Sequence, residues 1–236
     1  MSEPPDPLSA TVIVPVFEDV EFLLAALQSV AAQTRPAHEV VVVVDGPEVD
    51  LSSVLVELDT SVRVLHRARG GPGAARNTGA RHATGTVLAF LDSDDLWLPT
   101  KLERQVARLA LDVSLDVVFG GVEPFFSPEL ERAGTPHRDE RAERAGLLPS
   151  TMLVRTASFW RVGGFPEGVI FGEMLDWYGR AVDDGLRMAT VDDVLVRRRV
   201  HEHNAGVRFR SERGTYATTA KALLDRRRST NDATPQ

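Results

Sequence analysis

The run Phe90-Leu91-Asp92-Ser93-Asp94-Asp95 places three carboxylates directly after an apolar stretch. Asp92 and Asp94 stand two positions apart, so an extended or turning backbone directs both side chains toward one pocket. Close carboxylates repel one another, and a hard divalent cation with oxygen ligands relieves the repulsion. Mg²⁺ or Mn²⁺ held by one or two protein carboxylates completes its shell with substrate phosphates and water, so the pattern points to a phosphorylated ligand. The chain contains no cysteine, which excludes a catalytic thiol, disulfides and Cys-ligated zinc or iron–sulfur sites. Any metal must then be held by carboxylates, His, backbone or substrate oxygens.

These side chains need elements to hold them. From Thr11 the chain alternates short β-branched runs with segments of helical period, the signature of a doubly wound α/β sheet. Strands are expected at 11–16, 40–44, 62–65 and 86–91, and helices at 21–32, 51–58 and 74–83, the last after the turn Gly70-Gly71-Pro72-Gly73. This first half has a Rossmann-like nucleotide-binding layout. Ligands of such sheets bind beyond the carboxyl ends of the strands, so the loops beginning at Phe17, Asp45 and Asp92 are expected to converge on one crevice. A single strand-end Asp also serves as a helix cap, but three polar strand ends in register favour a binding role.

Beyond residue 100 the pattern is less regular. A helix is expected at 100–109, a strand at 117–119, a polar surface loop over 123–146, a regular segment at 151–154, a turn at Gly163-Gly164, a helix around 174–182 and a strand near 194–199. After Val207 the chain is rich in Arg, with Tyr216, Ala220, Leu223 and Leu224 at helical spacing. That pattern suits an amphipathic helix with a solvated basic face; a membrane or partner surface is the alternative.

The segments Val12-Ile13-Val14-Pro15-Val16-Phe17, Val41 to Asp45-Gly46, Gly73-Ala74-Ala75-Arg76-Asn77-Thr78-Gly79, Gly85 and Phe90 to Asp95 follow in an order and spacing that resembles the inverting glycosyltransferases of family 2. The resemblance continues through Leu148-Pro149-Ser150-Thr151, Val162-Gly163-Gly164-Phe165, Gly172-Glu173 and Arg199-Val200-His201-Glu202-His203-Asn204. It implies the GT-A fold: one α/β domain at 11–207 with a mostly parallel sheet flanked by helices, a donor half to about residue 99 and an acceptor half beyond it. A flexible 1–10 and a basic helix and tail at 208–236 would flank it.

The same resemblance implies a nucleotide-sugar donor, UDP-linked in the simplest case, whose diphosphate is bridged by Mn²⁺ or Mg²⁺. Pro15 and Phe17 would line the base pocket, with Phe17 stacking on the ring, Asp45 would accept from the base, and Arg76 would contact base or phosphate. Asp92 would hold ribose or metal, with Ser93 beside it on the donor, and Asp94 and His201 would bind the metal. Departure of a nucleoside diphosphate builds charge on its phosphate, which a divalent cation stabilises.

Inversion needs a base opposite the leaving group to take the acceptor proton. In the family this is usually the second residue of a Glu-Asp pair at a helix start. Here the segment reads Gly172-Glu173-Met174-Leu175-Asp176, and Met174 cannot accept a proton. The base is therefore expected at Glu173, with Asp176 as the alternative; both also complement a helix N-terminus. Glu18 and Val44 are further departures, standing where the family often has Asn and an acidic residue. Met174 leaves open a catalytically degenerate nucleotide-sugar-binding module. A nucleotidyltransferase would share fold and metal, but the Gly-rich loop with Arg and Lys that such enzymes carry after the first strand is missing.

The composition sets the outer bounds. With 236 residues, 43% hydrophobic and 26% charged, the chain suits a globular domain with a sizeable core. A net charge of −7 argues against nucleic acid as a partner. No run approaches the ~20 apolar residues of a membrane span, which leaves peripheral membrane contact as the only kind to expect. Met1 to Ser9 lacks the pattern of a signal peptide, so a cytoplasmic location is expected. The acceptor, whether glycan, lipid, peptide or small molecule, has no motif to identify it.

Overall fold

Val40 to Val44 form an unbroken valine run, and every one of them is buried. Val40, Val42 and Val44 pack into one apolar cluster, Val41 and Val43 into another. Burial on both faces marks an interior strand of a parallel sheet. In the computed structural model, which describes residues 7–18, 20–58, 61–127, 129–130, 147–169 and 172–202, that strand is β2 (Glu39–Asp45). It lies between β3 (Val62–Arg67) and β1 (Ala10–Val16), parallel to both, and β1 is followed in the sheet by β4 (Val87–Phe90), also parallel.

The sheet continues through β7 (Met152–Arg155), β6 (Val117–Phe126), β8 (Met188–Val200) and the two-residue β5 (Leu96–Trp97), in the order β3-β2-β1-β4-β7-β6-β8-β5. β7 runs antiparallel to β4 and β6, β8 runs parallel to β6, and β5 is antiparallel to β8. One face is covered by α1 (Leu23–Ala31), the single turn α2 (Ser52–Leu55) and α4 (Lys101–Leu111). The other is covered by α3 (Pro72–His82), α5 (Thr156–Arg161) and α6 (Glu173–Asp183), which contribute Ala75, Ala80, Phe159, Met174, Trp177 and Ala181 to its core.

Local sequence explains several choices. Pro15 sits in a central strand at no cost to the ladder. Ile13 turns its carbonyl to Leu91 N at the end of β4, so Pro15, two residues on, faces the same side past the last β1–β4 pair. Helix α3 begins with Pro72 in its first turn behind Gly71, whose φ of 87° only glycine adopts readily.

The elements expected from the sequence are present, with differences. β6 extends through Glu123-Pro124-Phe125-Phe126, which were expected to open the surface loop; these residues pair with Arg197 to Val200 on β8. Between Phe119 and Val122 on β6 the partner on β8 advances from Thr190 to Val196, so β8 carries a bulge beside Gly120 and Gly121. That bulge carries the far half of β8 over to β5 and the turn after β4. β5 and α5 were not expected, and α2 is shorter than the expected helix at 51–58. At the N-terminus, expected to be flexible to residue 10, Leu8 is buried and the Ser9 carbonyl accepts from Val87 N. The expected basic helix at 208–236, and 131–146 of the expected loop, lie outside the described residues. Among the described residues no helix is long and apolar enough to cross a membrane.

Candidate functional site

Parallel strands β2, β1 and β4 are neighbours, so their carboxyl ends deliver Asp45, Phe17 and Asp92 to the same edge of the sheet. Asp45 is buried and engaged by three protein donors. Gly70 N and Gly71 N donate to its two oxygens at 3.0 and 2.8 Å, and Arg67 forms an ion pair with it. Asp45, expected to accept from a base, thus braces the turn that leads into α3. Phe17 is half-buried against Gly46, where a Cβ would come within 3.1 Å of its ring, and the Arg69 guanidinium lies 4.5 Å from its centroid. Arg67 and Arg69 were missed by sequence reasoning, which stopped at strand ends.

Arg76, expected at base or phosphate, lies buried one turn inside α3 between two site carboxylates. Its Nη2 donates to Asp92 Oδ1 at 2.5 Å and its Nη1 to Glu173 Oε1 at 2.9 Å. Burial alone works against the charge, but Asp92 and Glu173 outweigh it and hold the guanidinium above its ordinary pKa. Asp92 N in turn donates to Ser150 Oγ at 3.2 Å, so the 3₁₀ turn Pro149–Thr151 fixes the other side of the acidic loop.

The start of α6 separates the two base candidates. Gly172 caps it with φ 89°, Glu173 reaches Arg76, and Met174 packs into the core. Asp176 is tied at 2.8 Å to Arg180, which also donates to the carbonyls of Val162, Gly163 and Gly164. That turn is clasped from its other side by Asn77, whose Oδ1 accepts from Phe165 N and whose Nδ2 donates to Phe165 O, each at 2.8 Å. Glu173 therefore belongs to the cluster around Arg76, while Asp176 belongs to the support of the Gly163-Gly164 turn.

Ser93 and Asp94 form a tight turn closed by a bond from Asp95 N to Asp92 O. His201, just past the end of β8, is buried, and its Nε2 lies 3.0 Å from Asp94 Oδ2. The pair expected from the sequence to bind metal is thus brought together from positions 107 residues apart. That separation is a direct hydrogen bond, and these two side chains are the ones that could hold a divalent ion in its place. An imidazole with a carboxylate fits Mn²⁺ better than Mg²⁺. Asp95 is buried, and burial together with Asp94 and Asp92 pushes its carboxyl well above the usual carboxylate range. Among the described residues no group of three or more His, Asp or Glu gathers around one point.

Comparison with known proteins identifies the relatives of this architecture. The family model described as "Glycosyl transferase family 2" matches residues 11–161, more than half of the chain. The "Glycosyltransferase AglE" of Haloferax volcanii is 29% identical over 198 residues, covering 78% of this chain and 65% of that protein. An uncharacterized glycosyltransferase of Rickettsia felis is 38% identical over 98 residues, 41% of this chain and 16% of its own. Among solved structures, S. aureus TarS 1-349 in complex with UDP-GlcNAc superposes with a TM-score of 0.66 at 24% identity, covering 84% of this chain and 60% of that one. The chain spans less than two thirds of the length of each of these relatives. The likeness to TarS is one of fold, and it agrees with the GT-A arrangement expected from the sequence. On the strength of the matched family model, the chain belongs to glycosyl transferase family 2.

Proposed function

We propose that this chain transfers a sugar, with inversion, from a UDP-linked donor to an acceptor hydroxyl, using Mn²⁺ or Mg²⁺. The observation that carries this reading is the meeting of two pairs at one sheet edge: Asp94 with His201, and Asp92 with Glu173 through Arg76. The TarS structure with UDP-GlcNAc and the glycosyltransferase relatives support a nucleotide-sugar donor. Asp94 and His201 would hold the ion. Bound there, a divalent cation stabilises the charge that grows on the departing diphosphate. Pro15 and Phe17 would form the base platform, and Asp45 supports it indirectly through the Gly70-Gly71 turn. Asp92 and Ser93 would hold the donor, and Glu173 would take the acceptor proton. Arg76 fixes the spacing between the carboxylate on the donor side and the one on the acceptor side.

A second reading, a nucleotide-sugar-binding module without turnover, is favoured by Met174, which fills the core where the family usually has its base. Release of UDP from a panel of UDP-sugars with Mn²⁺ tests both. Asp94→Ala is expected to lower release at least ~100-fold with the fold intact. Full activity in that variant would remove the proposed metal role. UDP binding without turnover across several donors and acceptors would favour the module.

A further inference from the structure

We infer that Arg199 is a positioning residue that sets the spacing of Asp94 and His201; the inference rests on the proposed metal-binding reading of that pair. Arg199 lies next to the last residue of β8 and His201 just past its end, and both side chains are buried. The Arg199 main chain donates to Asp95 Oδ1 at 3.1 Å, and its side chain Nε donates to the Asp94 carbonyl at 3.0 Å. β8 is thereby locked to the acidic turn by two bonds, one from the main chain and one from the side chain, two residues before His201.

The guanidinium itself is held by a stack of rings. It lies 4.2 Å from the Phe22 centroid and 4.5 Å from that of Phe125, and Phe125 carries Arg197 at 4.6 Å. Phe22 also meets the His201 ring edge-on at 5.0 Å. One aromatic ring at the start of α1 therefore touches both the residue that grips Asp94 and the imidazole that faces it. Arg199 is only 9% exposed, and a buried cation that merely filled space would be less stable than an apolar side chain of the same size. Its side-chain bond to the Asp94 carbonyl gives it a reason to be charged there. Outer partners of this kind typically change metal affinity 10–100-fold when removed.

The test measures Mn²⁺ binding by electron paramagnetic resonance of the free ion, with UDP present. Arg199→Met keeps the bulk between the rings and is expected to weaken Mn²⁺ binding ~10-fold with an unchanged thermal midpoint, and Arg199→Lys to recover part of the loss. In a His201→Ala background, Arg199→Met should have a smaller further effect than in the wild type, because only its hold on Asp94 then remains. Wild-type affinity in folded Arg199→Met, or full additivity with His201→Ala, overturns the inference while leaving the proposed metal site standing. If Arg199→Met does not fold, Phe22→Leu takes its place, and unchanged Mn²⁺ affinity there overturns the inference equally. A wild-type protein that binds no Mn²⁺ overturns both the site and the inference.

Discussion

Arg76 divides one guanidinium between Asp92 and Glu173, and this division distinguishes the two candidate bases. Glu173 is buried and joined through Arg76 to the acidic loop. Asp176, three residues later on the same helix, is turned toward Arg180 and the Gly163-Gly164 turn. In a nucleotide-sugar turnover assay Glu173→Gln should lower kcat by ~100-fold or more. Asp176→Asn should cost far less, because Arg180 keeps its bonds to the Val162, Gly163 and Gly164 carbonyls. Equal losses in the two variants, or a larger one at Asp176, would move the base away from Glu173. Both carboxylates were legible in the sequence; what separates them was not. Arg76 and Glu173 are 97 residues apart, and a single chain read in order carries no signal that pairs them. The same holds for Arg67 with Asp45 and for Arg199 with the acidic turn.

At the scale of elements, the parallel half of the sheet was readable because its strands are apolar throughout and its helices keep a helical period. The antiparallel half was less so. The Glu123 to Phe126 segment of β6 pairs with β8 while its side chains are exposed or half-buried, so its polar and proline content reads as loop. The bulge in β8 hides a thirteen-residue strand behind a broken alternation. The glycines of α3 show what holds this frame together. By helix propensity alone Gly73→Ala should stabilise by up to about 1 kcal/mol. A Cβ at Gly73, however, would lie 2.4 Å from the Pro166 carbonyl oxygen, a backbone atom just beyond the Gly163-Gly164 turn. We expect Gly73→Ala to destabilise by about 1–3 kcal/mol, read from urea midpoints, and to weaken turnover because the turn also orients α6. A stabilised variant would show that the turn yields easily and that α3 does not set its position.

For the whole molecule, composition announced a domain with a sizeable core, and the sheet divides that core into two apolar layers. It did not announce that the core contains a lysine. Lys101 is fully buried at the start of α4, with its Nζ donating to Gln105 Oε1 at 2.7 Å and lying 4.1 Å from the Trp97 ring centroid. A lysine that opens an amphipathic helix reads as a surface residue, so its burial is decided by tertiary packing alone. That burial lowers its pKa from 10.5 to about 7. Between those values the unfolded chain binds a proton that the folded one does not, so this group makes stability rise with pH across that window. Below the lower value the folded state carries the full penalty of a buried ammonium, of order 5 kcal/mol before the Trp97 ring and the Gln105 oxygen offset part of it. Lys101→Met should therefore be more stable than the wild type at pH 6, with the gap narrowing steadily toward pH 10. The bond from Lys101 to Gln105 is stronger when the lysine is charged, so its loss belongs to the changing difference, while Gln105 keeps its bonds to the Val118 and Thr151 carbonyls in the variant. The changing difference between the two proteins thus isolates the lysine charge. Urea midpoints of both proteins at several pH values measure it, and parallel curves would mean that Lys101 stays protonated in the fold, its charge carried by Trp97 and Gln105.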